Sequence, residues 1–165
     1  MKNIVLALAL LLGFFGQAQV FKGKGDTKFQ VGAIFQEYAN GITATTDFGL
    51  GKNLSVGFQS TYLLGVKEDI VLGSSKFEDR FDLRGRFNAH ISDIFGIEKD
   101  IDIYPGLDLG LRNFGAHFGA RYFFTEGIGV YSEIQFPIAT YENDPKGYQN
   151  FNNQFNFSVG VSFNL

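Results

Sequence analysis

Cysteine and tryptophan are absent from this 165-residue chain, proline occurs three times and histidine twice. Without cysteine there is no disulfide, no thiolate metal site and no lipoprotein anchor, which needs a cysteine at the mature N-terminus. His90 and His117 lie too far apart in sequence to make a metal motif, so no metal or other cofactor is expected. Net charge is −3, which gives no electrostatic case for nucleic acid as a partner. Mean hydropathy is +0.01, far too polar for helices that span a membrane. Against these shortages stand 20 Phe, 7 Tyr and 21 Gly. Phe and Tyr favour strands. A β-barrel crosses a membrane while looking average in composition, because half of each strand is polar.

The first residues stand apart. Lys2 is a short positive region, Ile4 to Phe15 is an unbroken run of apolar residues and Gly, and Gly16-Gln17-Ala18 offers small residues where a signal peptidase reads. This pattern predicts a secretory signal over 1–18, cut after Ala18. The run is too short for a membrane helix, which needs about 20 residues. The mature chain would start at Gln19, carry 13 basic against 17 acidic residues, and form one barrel domain over 19–165.

The last twelve residues show the organising pattern. Phe155, Phe157, Val159, Val161, Phe163 and Leu165 share one parity; Gln154, Asn156, Ser158, Gly160, Ser162 and Asn164 share the other. A strand alternates faces with period two, so one face is wholly apolar and the other wholly polar. The same reading gives seven earlier strands, over 27–36, 42–50, 54–64, 80–89, 101–111, 114–124 and 128–138. Ile34 breaks the alternation of the first, and Pro105 predicts a bulge in the fifth, since it donates no ladder bond. Ala39-Asn40-Gly41 reads as the first turn, and Ile91 to Phe95 as a short helical turn within the connector 90–100. The turns after strands two and six are tight, while the long loops 65–76 and 140–153 follow strands three and seven. Eight strands with short connections at one end and long ones at the other predict an all-β, eight-stranded antiparallel up-and-down transmembrane barrel.

The same alternation also suits a soluble barrel of lipocalin type, apolar inside and ligand-binding. Three features favour the opposite polarity. None of the 44 apolar-face positions is charged, where about eight would be at the chain's 19% charged content. On a lipid face Arg or Lys costs about 2–4 kcal/mol at mid-depth. Most strand glycines share the polar face, as a narrow interior requires. All five Arg have polar-face parity. The lumen is therefore expected to hold Lys28, Arg80, Arg84, Arg86, Arg112 and Arg121 against Asp47, Glu78, Asp82, Asp102, Asp108 and Glu133, six of each sign. Charges confined in a narrow barrel need partners, so this set reads as an ion-paired plug, with a solvated polar face as the plainer alternative and a narrow channel as another.

The turn Leu50-Gly51-Lys52-Asn53-Leu54, the Gln-Ala-Gln signal ending, and Tyr104-Pro105-Gly106-Leu107 through Arg121-Tyr122-Phe123-Phe124 resemble members of an uncharacterised domain family of small outer-membrane barrels from Bacteroidota. More broadly, the chain resembles the OmpX and OmpA transmembrane type. That resemblance implies an outer-membrane location, contact with outer-membrane lipid and lipopolysaccharide, and recognition by the barrel-assembly machinery through the chain end. Such ends usually finish in Phe or Trp; here Phe163 and Leu165 carry the signal, with a departure at the last residue. The resemblance implies no functional residues.

Catalysis is tested by the histidines, since a Ser/His/acid site needs His beside Ser in space. His90 falls at a strand end and His117 points inward, and both read as polar fillers, so no enzyme is expected. Glu142, Asn143 and Asp144 read first as a solvated loop and second as a weak cation site, since Ca²⁺ takes six to eight oxygens. Tyr141, Tyr148 and Phe151 read equally as contacts to a partner or lipopolysaccharide and as an interfacial aromatic girdle.

Overall fold

Alternation of side chains over eight segments produces eight strands, and in a computed structural model these close into one antiparallel barrel in sequence order, with the last strand returning to the first. The described residues are 20–67, 76–97, 99–141 and 151–165. The segment 1–18, where a secretory signal is expected, and Gln19 lie outside them. The strands are β1 (Thr27–Gln36), β2 (Ala39–Gly49), β3 (Leu54–Val66), β4 (Phe81–Ala89), β5 (Ile101–Gly110), β6 (Asn113–Phe123), β7 (Ile128–Thr140) and β8 (Asn156–Asn164). A single helical turn, α1 (Phe77–Arg80), precedes β4.

The register fixes the shape. The Gly49 N–H donates to the Asp26 carbonyl, and from Gly49 the pairing runs through Ser55, Asn88, Gly106, His117, Gln135 and Asn156 to Gln36. One circuit therefore returns ten residues farther along the first strand. Such a stagger tilts the strands by about 35–45° and leaves an interior just wide enough for side chains. At about 3.3 Å per residue, a tilted strand of ten residues climbs roughly 25 Å, the height of a membrane barrel's apolar band.

The polarity is decided by exposure. Val31, Ile42, Phe58, Leu83, Leu107, Phe118, Ile134 and Val159 point outward and are exposed, while Gln30, Thr43, Gln59, Arg84, Asp108, His117, Glu133 and Ser158 are buried inside. This overturns the lipocalin-type alternative. Glycine makes room for the large inward groups: a Cβ at Gly119 would enter the Tyr104 ring, and one at Gly32 would meet the Tyr131 hydroxyl and the Val159 carbonyl.

Several boundaries differ from the pattern-based ones. The first hairpin turns at Glu37-Tyr38, and Leu64 forms a bulge in β3 opposite Asn40-Gly41 of β2. No register shift marks Pro105, which pairs with Phe118. Ile103 donates to Ser92 Oγ and accepts from the Ile91 N–H, so backbone groups at 103 and 105 face the β4 side, where the ladder has already ended at Asn88–Gly106. Pro105 thus forgoes no ladder bond. The bulge sits instead at Ile138 of β7, opposite Phe114-Gly115 of β6. Ile34, the exception to alternation, turns inward and joins Ala39, Leu63 and Phe151 in an apolar cluster.

One end of the barrel, here the base, carries the connections 50–53, 90–100 and 124–127. The other end, the mouth, carries the hairpins 37–38 and 111–112 and both long connections. Gly119→Val is expected to destabilise the barrel by about 1–3 kcal/mol, because the new side chain and Tyr104 claim one space. Urea unfolding in detergent micelles, read against Gly127→Val, where a Cβ meets nothing within 4 Å, checks this.

Candidate functional site

The middle of the lumen is a network drawn from six strands. Arg86 on β4 grips Glu133 on β7 with two parallel bonds of 2.6 and 3.2 Å, the fork-to-fork geometry that suits guanidinium and carboxylate. Its Nε lies 3.5 Å from Asp47 Oδ1 on β2. Arg121 on β6 bonds the other Asp47 oxygen and reaches Asp102 Oδ2 on β5 at 3.2 Å. The Arg121 guanidinium lies over the Tyr104 ring, 3.9 Å from its centroid, adding a cation–π contact in a dry setting. Gln30 donates to the Tyr104 hydroxyl at 3.3 Å.

Toward the mouth, Arg84 Nε donates to Asp82 at 2.7 Å, Nη1 to Asn113 Oδ1 at 2.9 Å and Nη2 to the Asn152 carbonyl. Asn113 also donates to that carbonyl and to Asn153 Oδ1, each at 2.9 Å. Asn152 has φ 59°, a left-handed conformation that asparagine tolerates. The chain before β8 therefore dips into the barrel and seats Phe151, 1% exposed, on Ile34, Ala39 and Leu63. His117 on β6 sits between Asp108 Oδ1, 2.6 Å from Nδ1, and Asn88 Oδ1, 2.7 Å from Nε2.

At the base the segment preceding β1 folds under the strands. Lys28 donates to Asp26 at 2.6 Å and to Asn164 at 2.9 Å. His90 Nδ1 lies 2.9 Å from Asp102 Oδ2, and its Nε2 lies 2.8 Å from Ser55 Oγ, which also accepts from Asn88 Nδ2 at 2.9 Å. Phe21 stacks flat on the His90 ring, with centroids 3.5 Å apart and planes at 9°. The pocket left between Phe21, Lys52, His90, Lys99 and Asp102 has about 10 Å³, room for roughly one water.

Of the twelve residues expected in the lumen, the structure brings Lys28, Asp47, Asp82, Arg84, Arg86, Asp102, Asp108, Arg121 and Glu133 together there, all buried. Glu78, Arg80 and Arg112 do not join them. Parity fails at Glu78 and Arg80 because Phe77–Arg80 is helical, with a cap between Lys76 and Asp79. Arg112 lies in the β5–β6 turn and donates to the carbonyls of Glu78 at 2.9 Å and Asp79 at 3.3 Å, tying that turn to α1. Asp26 joins the lumen although it precedes β1; its pairing with Lys28 two residues on was the available signal. The described lumen thus holds six acids against four Lys and Arg, with both histidines hydrogen-bonded to acids. The Ser55–His90–Asp102 array was hidden in sequence, since its members lie on three separate segments. Tyr141 is exposed at the mouth. Glu142, Asn143, Asp144 and Tyr148 lie outside the described residues, as do 68–75 of the first long loop. Phe163 pairs with Phe29 and Ile128, and Leu165 donates its N–H to Thr27 at 2.9 Å.

Removing one member of this network leaves its partners as buried charges without a match. Arg86→Met is expected to cost about 3–5 kcal/mol, and Arg86→Met/Glu133→Gln clearly less than the sum of the two single changes. Urea unfolding of the four proteins in micelles closes this cycle.

The geometry agrees with what the chain is similar to. Its residues 11–165 match the model of a family of unknown function, DUF6646, and the chain belongs to that family. No curated protein matches it. Among solved structures it resembles the N-terminal β-barrel domain of Pseudomonas aeruginosa OprF, at 13% identity and a TM-score of 0.58, over 87% of this chain and 100% of that one. At this identity the likeness speaks for the fold alone, a closed β-barrel, here of eight antiparallel strands.

Proposed function

We propose that this DUF6646 chain is an outer-membrane barrel with a closed lumen, which anchors itself in the envelope and presents its mouth loops outside. One observation carries the reading. Every charge on the strands points inward into paired networks, and no outward-facing strand residue is charged. Such a wall is costly in water, where 21 large apolar strand side chains stand exposed, and favourable in lipid. The mouth faces out and the base faces the periplasm, because the two longest connections, 67–80 and 141–155, both lie at the mouth. The secretory signal over 1–18 and the Bacteroidota resemblance support this location. The long loops 65–76 and 140–153, apart from the buried Phe151 and Asn152, are the surface offered to lipopolysaccharide or a protein partner, and Phe163 and Leu165 are the residues offered to the barrel-assembly machinery.

The tiers of paired side chains across the lumen favour a barrel that does not conduct. Protein refolded into planar bilayers is expected to show no steady unit currents; their appearance would favour the narrow channel instead. The lipid-facing wall has its own test. Val159, near the middle of β8, is 42% exposed on the outer face. Val159→Arg is expected to lower stability in lipid vesicles by about 2–4 kcal/mol, as for a cation at mid-depth. A change within about 0.5 kcal/mol, normal for a surface site in water, would remove the membrane from the proposal.

A further inference from the structure

We propose that Ser55, His90 and Asp102 form an acyl-transfer site at the base of the barrel, kept shut by the segment that carries Phe21. The inference goes beyond the closed barrel proposed above and does not depend on what surrounds the outer wall. Its ground is a consistent direction of hydrogen bonds. In the neutral tautomer whose Nδ1–H donates to Asp102 at 2.9 Å, His90 Nε2 turns its lone pair to the Ser55 hydroxyl at 2.8 Å. Ser55 Oγ in turn accepts from Asn88 Nδ2 at 2.9 Å. That is the order of groups a serine nucleophile needs: base beside hydroxyl, acid behind base. His117 has no such order, because it lies between the Asp108 carboxylate and the Asn88 carbonyl, two acceptors.

The surrounding contacts hold the array still. The His90 N–H donates to the Asn53 carbonyl at 2.8 Å, and Asn53 Nδ2 donates back to the His90 carbonyl at 3.1 Å. Asp102 is a positioning residue and is itself fixed by Arg121 at 3.2 Å. Asn88 Nδ2 donates to Ser55 Oγ at 2.9 Å and so fixes the hydroxyl beside His90.

The substrate class is a small carboxylic ester with an apolar acyl or aryl group. Phe21 occupies the place such a group would take, flat on His90, and the Val20 N–H pins the segment to the Lys99 carbonyl at 3.0 Å. Gly23 and Gly25, both at φ 87°, give the bend that lets this segment turn under the strands. With Phe21 withdrawn, the Ser55 hydroxyl adds to the ester carbonyl and its proton passes to His90 Nε2. Collapse expels the alkoxide, which takes that proton and leaves as the alcohol. Water repeats the addition on the acyl-serine, releasing the carboxylic acid and restoring Ser55.

The test is full-length protein folded in micelles and treated with a fluorophosphonate carrying a fluorophore, with folding of each variant verified by the shift between unboiled and boiled samples on an SDS gel. Phe21→Ala should be labelled at Ser55, located by tandem mass spectrometry, at least about tenfold faster than the parent chain. Phe21→Ala/His90→Gln should react roughly 100-fold more slowly, the contribution of a general base. Three results would overturn the proposal: no label on Ser55 in folded Phe21→Ala, a Ser55 label indifferent to His90→Gln, or label on the neighbouring Ser92 alone. Because the label is located on the peptide, Phe21→Ala against the parent chain decides the matter even where the double variant does not fold.

Discussion

A barrel of eight strands staggered by ten residues has an interior only one or two side chains across. That confinement governs everything inside it. An ionised carboxylate there has lost most of its water, so it must find a cation or several donors, and a guanidinium must find acids. The strands answer by placing acids and bases at facing positions on different strands. Asp47, Glu133 and Asp102 surround Arg86 and Arg121, so each cation bridges two acids drawn from separate strands. Arginine suits this better than lysine, because one planar fork meets two carboxylates at once. Lys28 takes the remaining place, at the rim of the base, where one acid and one amide suffice.

Volume imposes a second constraint on the same space. Tyr104 and Tyr131 project from neighbouring regions of the wall into the lumen, and they fit because glycine stands where they land. Gly119 lies under the Tyr104 ring, and Gly32 faces the Tyr131 hydroxyl, with Gly160 paired beside it on β8. The glycines thus serve the large residues opposite them rather than the turns. At the mouth the filling changes from charge to hydrocarbon, where Ile34, Leu63 and Phe151 close the barrel. The backbone carbonyl of Asn152 then satisfies Arg84 and Asn113 beneath this cap.

Strand number, polarity and most of the lumen set were legible because a period of two is a local property: each residue's face follows from its neighbours. The same rule shows where legibility ends. It failed at Glu78 and Arg80, where four residues become helical, and it gave no sign of the bulges that set Leu64 opposite Asn40-Gly41 and Ile138 opposite Phe114-Gly115. Phe151 shows another limit. It belongs to no strand, and its seat in the mouth depends on a cluster assembled from β1, β2 and β3. Ser55, His90 and Asp102 were individually visible as inward or end-of-strand residues, but their meeting depends on how the connector 90–100 folds back, and pattern alone does not give that.

Asp102 joins the two halves of the structure. One of its oxygens takes both Arg121 at 3.2 Å and His90 at 2.9 Å, so the central ion network and the array at the base share a carboxylate. The sharing has a physical consequence. A carboxylate fixed by one cation loses the freedom to rotate, and the imidazole it orients inherits that rigidity. The stiffness needed to fill a narrow barrel therefore also aims His90 at Ser55, with no additional element required. What separates a filled lumen from a reactive one is then the cover at the base, a single aromatic ring stacked on the imidazole at the end of a segment with two left-handed glycines.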